Sequence, residues 1–338
     1  MKNWINSETN PEDIVLCSSV KLARNFKNSK FTDKLKIEEA QDNIFNVYDI
    51  LSKGLKDSSL ELIKLWEQDY NYSRGFVEKN LISNKLLDRR EKSGFILNEE
   101  NTISVMINEE DNLGIKCISD GLNLREEYRA VDEIDDIIEE RIQYAFHQDY
   151  GYLTASPSNV GTGLKATTIL HLPALTVNEE IKSITKGLNQ VGMSISGMYN
   201  ELNQVYGNLY LISNQVSLGV KEEELVNNVE SVVFNIINEE KKYREIMITK
   251  YNKEIEDRVF RAQAILESAR ILNSKEILDL LSNVRLGVEL GIINIEKKIL
   301  NNILILTRDA IIESKLGNST STRDKNIERA RIVSELLM

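Results

Sequence analysis

The chain is poor in the residues that staple, punctuate or ligate. It has two cysteines, Cys17 and Cys117, and two histidines, His147 and His171, among 338 residues. That excludes a disulfide framework and a four-thiolate zinc site, and no structural metal is expected. Three prolines (Pro11, Pro157, Pro173) and 16 glycines leave no Pro-rich linker or low-complexity tract, and no repeat recurs at a fixed period. No window reaches the roughly 18 to 20 uninterrupted apolar residues of a membrane span. The opening Met1-Lys2-Asn3-Trp4 leads into polar residues rather than the apolar core of a secretory signal, so a cytoplasmic location and no membrane partner are expected. Positive charge is also short: 42 Lys and Arg face 53 Asp and Glu, a net charge of -11. A sequence-independent grip on nucleic-acid phosphates is therefore not expected.

What remains is a folded composition, 41% hydrophobic and 28% charged, in a chain long enough for two domains. Periodicity predicts helices over 33–55 and 70–81, with a strand at 60–66 between them. Three short runs, 94–97, 102–107 and 113–118, alternate and are joined by polar connectors, which predicts an antiparallel meander. Leu124, Tyr128, Val131, Ile134, Ile138, Ile142 and Ala145 recur three or four apart, predicting an amphipathic helix over 122–148. Strands are expected at 152–155, 193–199 and 209–214, and helices near 164–172 and 178–191. From about 221 the strand signal stops, and 221–270, 275–290, 295–316 and 323–337 read as helices. The expected class is α+β: an antiparallel sheet flanked by helices over 1–245, then an all-helical domain over 246–338. The stripe Ile299, Ile303, Leu306, Ala310 and Ile311 suits either an intramolecular core or a dimer seam.

Two segments could carry chemistry. Asn108-Glu109-Glu110-Asp111 places three acids on a short connector, suited to a general base, a guanidinium or magnesium. Taken alone, it reads more simply as a solvated hairpin turn. Ser156-Pro157-Ser158-Asn159-Val160-Gly161-Thr162-Gly163-Leu164-Lys165 is a small-residue turn read as opening a helix, where backbone N–H groups could welcome phosphate. It lacks the Walker spacing, and Lys165 is expected in the first helical turn.

These segments, with Leu22-Ala23-Arg24-Asn25, Gly151-Tyr152-Leu153-Thr154, His171-Leu172-Pro173, Ile212-Ser213-Asn214-Gln215-Val216 and Asp257-Arg258-Val259-Phe260-Arg261, resemble the ATP:guanido phosphotransferases, specifically the bacterial protein arginine kinases of the McsB type. The resemblance implies an antiparallel sheet, a helical domain that supports a homodimer, and MgATP as phosphoryl donor if the chain is active. It implies Glu110, beside Glu109, as base on the substrate guanidinium, Glu201 on the guanidinium's other side, and Ser156 where the family has a cysteine. It implies as partners a Clp ATPase, the repressor CtsR and an McsA-like activator.

The phosphate side departs from the pattern. Ser19 and Lys21 stand where the family has nucleotide-binding arginines, Asn80 where it has histidine, Gly114 and Ser196 where it has arginines, and Lys165 where it has another arginine. The family's phosphoarginine-reading Arg-Asp-x-x-Arg-Ala becomes Lys325-Asn326-Ile327-Glu328-Arg329-Ala330, of which Arg329 and Ala330 keep the pattern. Phosphoryl transfer depends on positioning and charge stabilisation, and losing one such donor costs on the order of 10²-fold to 10³-fold in rate. The expectation is a regulatory or adaptor protein with kinase chemistry lost or strongly reduced. The alternative is an active kinase in which Lys21 and Lys165 suffice.

Overall fold

In the computed structural model, residues 1–7, 14–55, 59–201, 204–317 and 320–338 are described, except for the side chains of Asn200 and Glu201. The chain runs β1 (Val15–Arg24), α1 (Ile37–Gly54), β2 (Leu60–Lys64), α2 (Tyr70–Glu78), β3 (Gly94–Asn98), β4 (Ile103–Ile107), β5 (Leu113–Asp120) and α3 (Leu124–Glu139). It continues through β6 (Phe146–His147), β7 (Gly151–Tyr152), β8 (Leu164–His171), α4 (Pro173–Val177), α5 (Ile181–Gln190), β9 (Met193–Gly197), β10 (Asn200–Glu201), β11 (Gln204–Val205) and β12 (Leu209–Asn214). Five helices finish it: α6 (Glu222–Ser268), α7 (Ser274–Glu289), α8 (Lys297–Leu306), α9 (Asp309–Leu316) and α10 (Thr322–Leu337). Eight strands form one sheet in the order β2-β3-β4-β5-β1-β8-β12-β9. Among the described residues no helix is long and apolar enough to cross a membrane.

Packing divides the chain into two units. The first comprises Met1–Asn3, Ser18–Thr167 and Ser213–Glu230. Its meander is the expected one, with Leu60 opposite Asn98, Phe95 opposite Met106 and Met106 opposite Gly114. Alternation drives it, because every second side chain must leave water: Phe95, Leu97 and Met106 pack with Ile63, Leu65 and Leu86 in one buried cluster.

The second unit comprises Trp4–Cys17, Thr168–Ile212 and Ser231–Met338. Ala174, Met247, Ile255 and Val259 form a buried cluster there. Leu300, Ile303, Leu304, Ile305, Ala310 and Ile312 are also buried, so α8 and α9 spend much of their apolar surface inside the unit. A buried ionic network ties the His-Leu-Pro turn to the helices. His171 Nδ1 lies 3.1 Å from Glu289 Oε2, and its Nε2 lies 2.8 Å from Ser282 Oγ. Arg244 reaches Glu289 at 2.9 Å and Glu240 at 2.7 Å, while Glu240 accepts the Ala174 and Leu175 N–H groups that open α4.

Several expected elements differ. The strand at 152–155 shrinks to Gly151–Tyr152, and the helix over 221–270 is kinked at Tyr251, where φ is -135° and ψ 35°. Residues 164–172 form strand β8, not a helix. Its Leu164, Ala166, Thr168 and Leu170 are buried, while on the other face Lys165 and Thr167 are half-buried and Ile169 and His171 buried, so the alternation fades along the run. The β-branched Thr167, Thr168 and Ile169 favour the strand, and partner strands settle it. Helix α3 stops at Glu139, because the following backbone pairs elsewhere: Lys27 N–H donates to the Gln143 carbonyl and Ala145 N–H to that of Asn25. The 295–316 helix is two helices, α8 and α9, broken at Thr307 and Arg308.

Candidate active site

The Asn108–Asn112 connector joins β4 to β5, and burial overturns its reading as a solvated turn. Asn108 and Asn112 are 0% exposed, Glu109 4% and Asp111 3%; only Glu110 reaches solvent in part. Asn108 holds the turn at φ 60°, a conformation Asn tolerates, and its amide donates to the carbonyls of Ala40 and Lys92 at 2.8 and 2.9 Å. Asn25, from the Leu-Ala-Arg-Asn motif, accepts the Asn112 N–H at 2.9 Å and donates to Asp111 at 2.6 Å. Asn108, Asp111 and Asn112 are thereby fixed by long-range partners, which sets the partly exposed Glu110 on a rigid base.

Asp111 also accepts the Ala155 N–H at 2.6 Å. Burial raises its carboxyl pKa, and the bonds from Ala155 and Asn25 only partly offset that. This bond brings the acid connector beside Ser156, whose hydroxyl lies 2.9 Å from that of Ser158. The turn that follows is locked by glycines. Gly163 has φ 66°, and a Cβ there would stand 2.5 Å from the Ala23 carbonyl. The Ser217 hydroxyl lies 3.0 Å from both the Ser158 and the Val160 carbonyl oxygens and shares its proton between them.

Lys165 is a strand residue: the small-residue turn opens β8 and not a helix. Its ammonium donates to the Asn214 carbonyl, and burial lowers its pKa. Ser19 and Lys21 share one face of β1. Lys21 pairs with Glu109, whose other oxygen accepts from Ser83. Burial alone would push the Glu109 carboxyl up, but the Lys21 ammonium and the Ser83 hydroxyl hold it below the usual range. Gly114 makes room for this arrangement: a Cβ there would lie 2.8 Å from Lys21 Cε. The Asn80 carbonyl accepts from Lys116, two residues beyond Gly114, while the Asn80 side-chain amide is buried without a hydrogen-bond partner.

Residues with no sequence signal complete the site. Lys85 pairs with Glu110 at 2.7 Å, Ser83 binds Glu109, and Arg89 donates to the Glu109 carbonyl at 2.8 Å. All three lie in or beside the 3-10 stretch Asn84–Lys92, which is kinked at Arg89 and has no motif to mark it. Ser196, exposed on β9, and Glu201, on β10, belong to the second unit; the Glu201 side chain lies outside the described residues. In that unit Arg329 is buried and saturated, donating to Thr307 O at 2.9 Å and Asn326 Oδ1 at 2.6 Å and pairing with Asp309. Lys325 pairs with Glu313, and Ala330 is buried.

Comparison with known proteins decides the family. Residues 41–243 match the model of the ATP:guanido phosphotransferase C-terminal catalytic domain, and 252–338 that of the protein-arginine kinase McsB C-terminal domain. The chain belongs to the McsB-like protein-arginine kinase family. It is similar to the protein-arginine kinases of Clostridium botulinum (46% identity, 100% of this chain and 99% of that one) and Clostridium novyi (47%, covering 99% and 98%). That of Bacillus velezensis is 38% identical over 100% of this chain and 93% of its own. A lombricine kinase crystal structure shares the fold, with a TM-score of 0.58 at 22% identity over 68% of this chain and 67% of that one. A taurocyamine kinase from Schistosoma mansoni does so at a TM-score of 0.57 and 20% identity, covering 82% and 41%.

MgATP is the donor this family implies. A triphosphate needs several cationic donors free to turn toward it. Here the Lys21 ammonium is committed to Glu109 and that of Lys165 to a carbonyl, and the bidentate fork of arginine is missing from both positions. This donor set fits a triphosphate poorly, whereas the carboxylate of Glu110 suits a guanidinium.

Proposed function

We propose that this chain is a regulatory member of the protein-arginine kinase family, in which phosphoryl transfer to protein arginine is lost or strongly reduced and a guanidinium-binding pocket built on Glu110 is kept. The observation that carries this reading is the pairing of Lys21 with Glu109 across Gly114. At three positions where the family uses arginine, the chain has a lysine turned inward, a glycine and, at Ser19, a hydroxyl. The acid connector, by contrast, is rigid and correctly charged. The family setting makes the partners a Clp ATPase, the CtsR repressor and an McsA-like activator in a cytoplasmic stress response, with the chain acting as a homodimeric adaptor.

The test is transfer of labelled γ-phosphate from MgATP to a protein substrate, scored as acid-labile arginine-linked phosphate, beside the Glu110→Ala variant. The proposal expects no Glu110-dependent label from folded protein. Label that disappears in Glu110→Ala would overturn it in favour of an active MgATP-dependent kinase. That second reading draws on Lys21 and Lys165; the Lys165 ammonium donates to a carbonyl oxygen whose place a phosphate oxygen could take.

A further inference from the structure

Away from Glu110, the first unit carries an open groove of about 690 Å³ between the β6–β7 hairpin and the start of α6. Its walls include Phe146, Tyr150 and Leu218, which are 58%, 55% and 47% exposed. Large rings left in water on a folded chain are unfavourable, and a cluster of them marks a contact surface. The rim is acidic: Asp149, Glu223 and Glu224 are exposed along it, against the single lysine Lys221 among the groove's lining residues. The N-terminus of α6 accounts for glutamates at 223 and 224, since acids there complement the helix dipole. It does not account for the exposed rings beside them.

The inner side of the same structure shows what such a surface holds. Phe146 packs edge-on against Tyr152, with centroids 5.3 Å apart, and the Arg24 guanidinium lies 3.6 Å from the Tyr152 ring centroid. That guanidinium also pairs with Asp135 at 2.6 Å and Glu222 at 3.3 Å. One arginine of the chain's own is thus already held by an aromatic ring and carboxylates at the back of the groove, and rings and carboxylates recur on its open side.

We propose that this groove docks an extended, arginine-bearing segment of a partner polypeptide. A guanidinium is planar and weakly hydrated, so it stacks on Phe146 or Tyr150 and keeps its N–H groups free for Glu223, Glu224 or Asp149. An ammonium is more strongly hydrated and has no planar face to lay flat on a ring, and an acidic segment is repelled. The site needs no phosphoryl transfer and no part of the Glu110 connector, so it stands whether or not the chain is a kinase.

The test is fluorescence anisotropy of a labelled Gly/Ser-spaced arginine peptide on the full chain, with lysine and citrulline versions of the peptide as comparisons. The arginine peptide is expected to bind about tenfold more tightly than the citrulline one, with lysine between them, and to weaken as salt rises. In a Glu110→Ala background, which removes the other guanidinium site, Tyr150→Ala and the double variant Glu223→Gln/Glu224→Gln are each expected to cost about tenfold, with unchanged circular dichroism. Equal binding of arginine and citrulline peptides would overturn the proposal. So would binding that survives both groove variants, or that vanishes in Glu110→Ala and so belongs to the other site.

Discussion

The Lys21 side chain crosses the face of Gly114, and its ammonium pairs with the buried Glu109 carboxylate. Two substitutions therefore act as one. Without a side chain at 114, lysine has a path to Glu109, and with Glu109 as partner it is drawn away from any phosphate. A buried pair is hard to separate, because either charge left alone in a poorly solvated place costs several kcal/mol.

Restoring the family's arginines should restore chemistry. A variant with Ser19→Arg, Lys21→Arg, Gly114→Arg and Lys165→Arg is expected to raise γ-phosphate transfer to arginine by at least about 10²-fold over the unmodified chain. The same labelling assay measures it. Unchanged transfer, in protein that still folds, would mean that arginine loss is not what limits the site.

The Lys85–Glu110 pair, at 2.7 Å, occupies the carboxylate that the proposed function assigns to a guanidinium. Its side chains are 57% and 31% exposed, so the pair contributes only about 0–1 kcal/mol. Lys85→Gln is accordingly expected to tighten free-arginine binding by a factor of about two to five in calorimetry. Glu110→Gln added to it should abolish that binding. Weaker binding in Lys85→Gln would show that the lysine helps rather than competes.

Glu127 links pH to stability. It is buried against Ser18 and Ser119 at 2.8 and 2.7 Å, and burial raises its carboxyl to about 8 from the ordinary 4.5. The folded state thus holds a proton that the unfolded state releases above about pH 5. Stability from this group is full below that point and falls as pH rises through 8. Urea midpoints compared between pH 5 and 8 should fall more steeply for the unmodified chain than for Glu127→Gln. Parallel profiles would exclude a proton on Glu127.

Removing Glu289 should be costly. It neutralises Arg244 and faces His171 in a fully buried setting, and the Arg244 and His171 charges in turn hold its pKa down against burial. Glu289→Ala leaves the buried Arg244 with Glu240 as its remaining carboxylate partner and takes the partner from His171, an effect of about 1–3 kcal/mol in urea denaturation. A loss below about 1 kcal/mol would mean that water enters the network.

How much of this was legible depended on range. Strands β3 to β5 were readable because Phe95, Leu97, Val105 and Ile115 alternate with their neighbours and short polar connectors separate the runs. Strand β8 was not, since a run that ends buried on both faces has the same pattern as a buried helix. The connector at 108–112 was misread as solvated because Asn and Asp mark exposed and buried turns alike. What buries it comes from Asn25, Ala40 and Lys92, far away in the chain.

The sequence by itself determined the family, the fold class, the meander and the long C-terminal helices, because these rest on local periodicity and on motifs whose order survives in one dimension. Its resemblance to the family also marked the positions where arginine is expected. Only the tertiary structure decided where the remaining lysines point. Lys21 and Glu109 are 88 residues apart, as Lys165 and Asn214 are 49 apart. No spacing rule connects such residues; strand order and the space above a glycine do.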